Sequence, residues 1–253
     1  MTTLRQRVMA GENVPGSMIF ECLTPGVAQI MAQAGAEFVI FDMEHTGAGF
    51  DALRAPIAAC RGLPITPLVR TPRSDYHFLA RALDVGAHGV MIPMVESAEE
   101  ARSVATATRY PPVGRRGAGF GFAHDDYAPG APADKVATLN ERTLVIAQIE
   151  TERGLAEVDA IAAVPGIDVL WLGHFDLTNF LGIPGQFDHP DFLGAIERIV
   201  AAGRRHGKGL GFMAADAGAA RTYRARGFNM IAAGADPHIL MAGVKQVLTG
   251  LKD

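Results

Sequence analysis

Four places in this 253-residue chain set chemistry-bearing side chains at the end of a short apolar run. They are Asp42-Met43-Glu44-His45, Arg70, Gln148-Ile149-Glu150 and Gly173-His174-Phe175-Asp176, with Glu21, Gly234 and Asp236 similarly placed near the first and last runs. Glu150 and Asp176 end adjacent runs, and two hard carboxylate oxygens suit Mg²⁺ or Mn²⁺, leaving positions for water and substrate oxygens. The plainer alternative pairs Glu150 with Arg70 or Arg153 and makes Asp176 a cap for 177–181. His45 follows two acids, and an imidazole steadied by a carboxylate is a common general base near neutral pH; alternatively it opens a helix from a loop. Arg70 closes a strongly apolar run, where its fork can bind a carboxylate or steady an oxyanion, unless it serves only as an ion pair with Asp42 or Glu44. Asp84 lies late in a helical stretch, where the helix dipole disfavours an acid. That points it inward to a partner, against the alternative of a solvated surface acid.

Lysine usage bears on mechanism. The four lysines are Lys135, Lys208, Lys245 and Lys252, and none ends an apolar run. Schiff-base chemistry on a carbonyl needs an amine at the reacting centre, so carbonyl activation falls to a metal or to Arg70. Other signals are weaker. No Gly-x-Gly-x-x-Gly, Walker, His-Glu-x-x-His or Gly-x-Ser-x-Gly pattern occurs. His124-Asp125-Asp126 reads as a solvated turn, His206 as a helix C-terminal cation and Cys60 as a small core residue.

The elements that must position these residues follow from periodicity. Nearly all-apolar runs at 17–22, 37–42, 65–69, 89–94, 143–149, 168–172, 209–213 and 228–233 read as parallel strands buried on both faces. Helical spacing fills 25–34, 50–60, 76–85, 98–108, 154–163, 190–206, 217–226 and 237–248. Eight strands alternating with eight helices make an α/β chain, and a length close to the ~250 residues of a (β/α)8 barrel makes a single TIM barrel domain the expected architecture. In that fold, working residues gather where strands end. The 33 residues of 109–141 exceed an ordinary connection and point to a functional, interfacial or partly disordered segment.

Composition excludes several classes. A net charge of −4 and a pI near 6.1 argue against a nucleic-acid partner. Two cysteines give no disulfide framework, and no run approaches a membrane span. A cytoplasmic globular protein without membrane partners is the expectation.

In order and spacing, the motifs resemble the HpcH/HpaI aldolase family, metal-dependent class II pyruvate aldolases of the phosphoenolpyruvate/pyruvate barrel superfamily. The likeness runs from about residue 16 to 248 through F-D-M-E-H (41–45), L-V-R-T-P (68–72), L-D-V-G-A (83–87) and I-P-M-V-E-S-A-E-E-A (92–101). It continues in Y-P-P-V-G-R-R-G (110–117), Q-I-E-T (148–151) and G-x-x-D-L (173–177). The resemblance implies that Glu150 and Asp176 bind a divalent metal (Mg²⁺ or Mn²⁺, with Co²⁺ admissible) and that His45 is the base, oriented by Asp42 and Asp84. It implies that Arg70 and Gln148 hold a 2-oxo acid, with Gly173, His174 and Phe175 also lining the substrate. It further implies reversible aldol cleavage of a 4-hydroxy-2-oxo acid to pyruvate and an aldehyde, in a hexamer built as a trimer of dimers with the last helix exchanged between subunits.

One departure stands out. Where the family reads Gly-Pro-Ala-Asp-Leu, this chain has Gly173-His174-Phe175-Asp176-Leu177. A larger wall replaces a small residue, which bears on the substrate more than on the reaction class and points to a smaller or more apolar aldehyde. A malyl- or citramalyl-type lyase of the same superfamily is the alternative enzyme. A basic rim for a CoA thioester is poorly matched by Arg115-Arg116 and Arg204-Arg205. A silent metabolite-binding barrel would not need Asp42, His45, Arg70, Glu150 and Asp176 together.

Overall fold

The computed structural model describes residues 2–251. A short helix, α1 (Leu4–Met9), precedes β1 (Val14–Ile19), α2 (Gly26–Gln33), β2 (Phe38–Asp42), α3 (Phe50–Ala59), β3 (Thr66–Arg70), α4 (Tyr76–Asp84), β4 (Gly89–Ile92) and α5 (Ala98–Thr108). After a 3-10 turn (Ala123–Asp125) come α6 (Pro132–Arg142), β5 (Leu144–Ile149), α7 (Glu152–Ala156), α8 (Val158–Ala162), β6 (Val169–Leu172) and α9 (His174–Phe180). The chain ends with α10 (Pro190–Arg205), β7 (Gly209–Met213), α11 (Ala217–Arg226), β8 (Met230–Ala235) and α12 (Asp236–Thr249). The strands form a closed parallel barrel in chain order, with β8 pairing back to β1. The expected (β/α)8 architecture is the observed one.

Each strand is buried on both faces because its side chains alternate between two cores. Met18, Ile40, Leu68, Met91, Ile146 and Trp171 point into the barrel, whereas Ile19, Phe41, Val69, Ile92, Val145 and Leu170 face the helices. Burying one such side chain contributes about 1.5–3 kcal/mol. α1 supplies Leu4 and Val8 to the inner core, beside Val14, Leu144 and Val169 at the strand starts, and so stoppers the barrel's N-terminal end. The other end stays open.

Several expectations need revision. The first strand covers Val14–Ile19, so Phe20 and Glu21 already belong to the loop at the mouth. The last strand likewise starts two residues later, at Met230. The helix expected at 154–163 is two short helices that meet at Glu157. The long 109–141 segment is largely ordered around α6, whose first turn starts with Pro132. Within it, the solvated turn expected at His124-Asp125 is buried instead. Asp125 there accepts from the Gly121 and Phe122 N–H groups and pairs with Lys135. A carboxylate that satisfies two backbone donors and an ammonium can be covered; three polar residues in sequence give no sign of that. His206 does stand at a helix C-terminus, as the C-cap of α10, and Cys60 is buried.

α12 departs from the rest. Its only buried residue is Asp236, while Ile239, Leu240, Met241, Val244, Val247 and Leu248 are exposed. No helix among the described residues is long and apolar enough to cross a membrane.

Candidate active site

Strand register brings the first pair together. Asp42 and Arg70 are the last residues of β2 and β3 and lie opposite each other in the ladder. Arg70 Nε donates to Asp42 Oδ1 at 2.5 Å, with both groups buried. Asp42 also accepts from the backbone N–H groups of Glu44 (3.2 Å) and His45 (2.8 Å), and Thr46 Oγ1 donates to its carbonyl. One carboxylate therefore fixes the arginine and the turn that carries His45. It holds the His45 backbone; the imidazole lies exposed at the mouth, its Nε2 3.6 Å from Glu44 Oε2. The second edge of Arg70 faces Glu44, Nη1 to Oε2 at 3.0 Å, and the guanidinium lies 5.6 Å from the Phe20 ring centroid. The structural alternative for Arg70 is thus realised with both acids, and the guanidinium still lines the cavity.

Glu150 sits one residue beyond β5 and is 1% exposed. Its Oε1 accepts from the Met94 N–H at 2.7 Å and its Oε2 from Gln148 Nε2. Neither Arg70 nor Arg153 pairs with it; Arg153 reaches Glu96 instead. Met94 adopts φ 50°, a conformation uncommon for a side chain that is not glycine, and in that conformation its N–H meets the carboxylate. Gly173 is required by close approach. A Cβ there would run into the Glu150 carboxylate and lie 3.0 Å from Gln148 Nε2. Asp176 falls in the first turn of α9, whose N-cap is Gly173 with no side-chain cap bond, so the capping alternative for Asp176 is not what the helix uses.

Burial disfavours the charged form of two of these acids. Burial pushes the Glu150 carboxyl up to about 7, opposed by its two hydrogen bonds and reinforced by Glu44 and Asp176. Burial likewise raises Glu44 to about 7; Arg70 opposes, and Asp42 and Asp176 add to it. Two buried atoms here lack hydrogen-bond partners: Gln148 Oε1, and Glu44 Oε2, whose approach to Arg70 is an ion pair without hydrogen-bond geometry. An excess of carboxylate oxygens beside unmet acceptors is a donor set that fits a hard divalent cation. The described residues contain no group of three or more His, Cys, Asp or Glu able to cage such an ion. Any ion held here would therefore draw on fewer than three such side chains of the described residues.

These groups surround a cavity of about 330 Å³ at the C-terminal mouth, lined by His45, Arg70, Gln148, Gly173, His174, Phe175 and Asp176. Its floor includes Met18 and Trp171. The indole fits because Gly211 on the next strand has no Cβ to meet it. His174 is enclosed by rings, 4.4 Å from Phe175, 5.4 Å from Phe187 and 5.0 Å from Phe212, and burial lowers its pKa to about 4. Asp236, the first residue of α12, accepts from the N–H groups of Phe20, Glu21 and Cys22 at 2.6–3.1 Å and so locks the β1 loop onto the mouth.

Within the chain, Asp84 does not join this group. It ends α4, about 12 Å along the helix from Tyr76 at the mouth end. There it pairs with Arg116 at 2.6 Å on a half-exposed surface. Sequence reasoning passed over Glu44 as a working residue, although it stands two residues from Asp42. It also missed the Met94 N–H, for which no residue type is a signal, and Trp171, which reads as one more apolar strand residue.

Comparison with known proteins shows which family the chain falls in. The family model described as HpcH/HpaI aldolase/citrate lyase matches residues 17–242. A hydroxypyruvate/pyruvate aldolase of Roseovarius nubinhibens is 36% identical over 88% of this chain and 87% of its own. A 5-keto-4-deoxy-D-glucarate aldolase of Salmonella arizonae is 33% identical, covering 90% of this chain and 89% of its own. The crystal structure of an HpcH/HpaI aldolase from Desulfitobacterium hafniense superposes with a TM-score of 0.95 at 33% identity, over 100% of this chain and 98% of that one. On a closed barrel with Asp42, Arg70, Gln148 and Glu150 at its mouth, and with a match over most of its length, this chain belongs to the HpcH/HpaI aldolase/citrate lyase family.

Proposed function

We propose that the protein is a class II aldolase, a carbon–carbon lyase that reversibly cleaves a 4-hydroxy-2-oxo acid to pyruvate, or a close 2-oxo acid, and an aldehyde. The observation that carries this reading is a cavity at the barrel mouth lined by Arg70, His45, Gln148 and Asp176, in which Arg70 is preorganised by Asp42 and Glu44 and no lysine is found among the described lining residues. Glu150 and Asp176 would hold the divalent ion, Mg²⁺ or Mn²⁺ by their hard oxygens and Co²⁺ as a further candidate. When bound, the ion supplies Lewis-acid polarisation of the 2-oxo acid oxygens.

The chain's residues do the rest. Arg70, clamped by Asp42 and Glu44, presents its remaining edge to the carboxylate of the 2-oxo acid and to the oxyanion that develops as the C3–C4 bond breaks. The clamp means the guanidinium needs no reordering when charge appears. His45 stands at the open side and takes the proton from the C4 hydroxyl. Asp42 is a positioning residue for both, through the Arg70 side chain and the His45 backbone. Gln148 sets one Glu150 oxygen and keeps its own Oε1 free. Gly173 leaves room for the carboxylate, while His174 and Phe175 form the far wall.

The uncovered apolar residues of α12 support a homo-oligomer in which this helix packs on a neighbouring copy, as in a hexamer assembled as a trimer of dimers. Proton exchange tests the chemistry. The methyl protons of pyruvate should exchange with D₂O in the presence of Mn²⁺ and stop exchanging in EDTA or in Glu150→Ala. Full pyruvate release by Glu150→Ala in EDTA would refute the mechanism.

A further inference from the structure

We propose that the aldehyde end of this cavity selects an uncharged aldehyde with an aromatic substituent and rejects aldehydes bearing their own carboxylate. Phe175 sets that preference. The proposal rests on the aldolase reading above and concerns only which aldehyde partner is accepted.

The lining mixes polar groups, among them His45, Arg70, Gln148 and Asp176, with apolar ones, among them Met18, Phe20, Trp171, Phe175, Met213 and Pro237. Arg70 is the only lysine or arginine among the lining residues, and Asp42 and Glu44 already engage two of its edges. The 2-oxo acid carries a carboxylate of its own, which takes what remains. A second carboxylate on the aldehyde would meet no further lysine or arginine among the lining residues; with Asp176 engaged by the divalent ion, the acid it would meet is Glu21, and the lining also holds the imidazole of His238. An unpaired carboxylate in such a place loses hydration and gains repulsion.

Phe175 supplies the positive half of the selection. It is 58% exposed although it lines the cavity, so a large aromatic surface is left for a ligand to cover. A single exposed phenylalanine is ordinary. This one is backed by a continuous stack: Phe187 meets it edge-on at 5.3 Å and His174 lies 4.4 Å away. Behind them, His174 packs on Phe212, which stacks on Tyr223 at 3.6 Å. A ring held from behind in this way is a fixed wall, and an aryl group entering the mouth can complete the aromatic cluster in an edge-to-face or offset arrangement.

The test runs aldol addition of pyruvate, with Mn²⁺, to benzaldehyde and to succinic semialdehyde. In each reaction pyruvate C3 loses a proton and bonds the aldehyde carbon, whose oxygen gains a proton; nothing is oxidised or reduced. The expected kcat/KM favours benzaldehyde at least tenfold. Phe175→Ala lowers that ratio by about tenfold, the size of one lost aromatic contact, and Phe175→Tyr restores most of it. The ratio is taken within one enzyme preparation, so partial misfolding cancels. Equal or better use of succinic semialdehyde overturns the proposal, as does an unchanged ratio in Phe175→Ala. Pyruvate proton exchange without product from either aldehyde also overturns it, leaving the reaction class intact. Absence of both exchange and product refutes the aldolase reading itself.

Discussion

Replacing Glu150 by glutamine should stabilise the metal-free protein at pH 8 while removing its hold on a divalent ion. The carboxyl is 1% exposed, and burial with the neighbouring Glu44 and Asp176 raises its pKa from 4.5 to about 7. At about 1.4 kcal/mol for each unit, keeping it ionised costs the folded state about 3 kcal/mol above pH 7. The sign follows from the direction. Below pH 4.5 the group is protonated in both folded and unfolded chains and costs nothing; between 4.5 and 7 stability is lost as the unfolded chain ionises first. Glutamine escapes that cost. It keeps one acceptor for the Met94 N–H, and its amide finds the unpartnered Oε1 of Gln148 once that side chain turns over. Allowing for imperfect replacement, the gain is about 1–3 kcal/mol at pH 8. That raises the melting temperature by roughly 2–4 °C per kcal/mol for a chain of this size. Calorimetry in EDTA at pH 8 and pH 5 should show a gap that shrinks at the lower pH. Adding Mn²⁺ should reverse the order, because only the wild type gains binding energy. A variant that melts below the wild type at pH 8 in EDTA, or that keeps wild-type Mn²⁺ affinity, would refute the reasoning.

Arg70→Lys removes the fork that grips Asp42 and Glu44, and steady-state assays should find kcat lower by about 10²–10³. In Gly173→Ala the added methyl displaces the Glu150 carboxylate; calorimetric titration should show Mn²⁺ affinity reduced about 10–100-fold with the fold retained by circular dichroism. His88 lies well away from the mouth, and burial lowers its pKa from 6.5 to about 3. The stability it contributes is present above pH 6.5 and lost as pH falls toward 3, so His88→Asn should lessen acid destabilisation by about 1–3 kcal/mol in urea titrations at pH 4 and pH 7. Leu240→Asp, on the uncovered face of α12, should lower the particle mass in light scattering without unfolding the barrel.

The barrel was legible because each strand carries its own signature. Phe38–Asp42 and Leu144–Ile149 are buried on both faces and read as unbroken apolar runs, and the helices between them keep a helical period. Boundaries failed where local pattern and pairing disagree. Val14–Ile19 contains Pro15 and Gly16, poor strand residues, and is a strand because β2 and β8 pair with it on either side. Helical spacing does not reveal α9 after β6 or α1, because helices of seven and six residues have little period to read.

What the residues alone determined is the inventory at the mouth. Strand ends face the open end of such a barrel, so placing Asp42, Arg70, Glu150 and Asp176 at or just beyond those ends brings them near one another before any coordinate is known. The absence of a lysine there was equally plain. What only the tertiary structure decided is how these groups share charge. Asp42 lies opposite Arg70 by register, Glu44 takes the other edge, the Met94 N–H turns to Glu150 through a left-handed residue, and Asp84 goes to Arg116 at the C-terminal end of α4. The difference has a physical cause. Burial of apolar side chains is non-directional and survives as a pattern along the chain, whereas hydrogen bonds and ion pairs depend on distances and angles between residues far apart in sequence, which exist only once the barrel has closed.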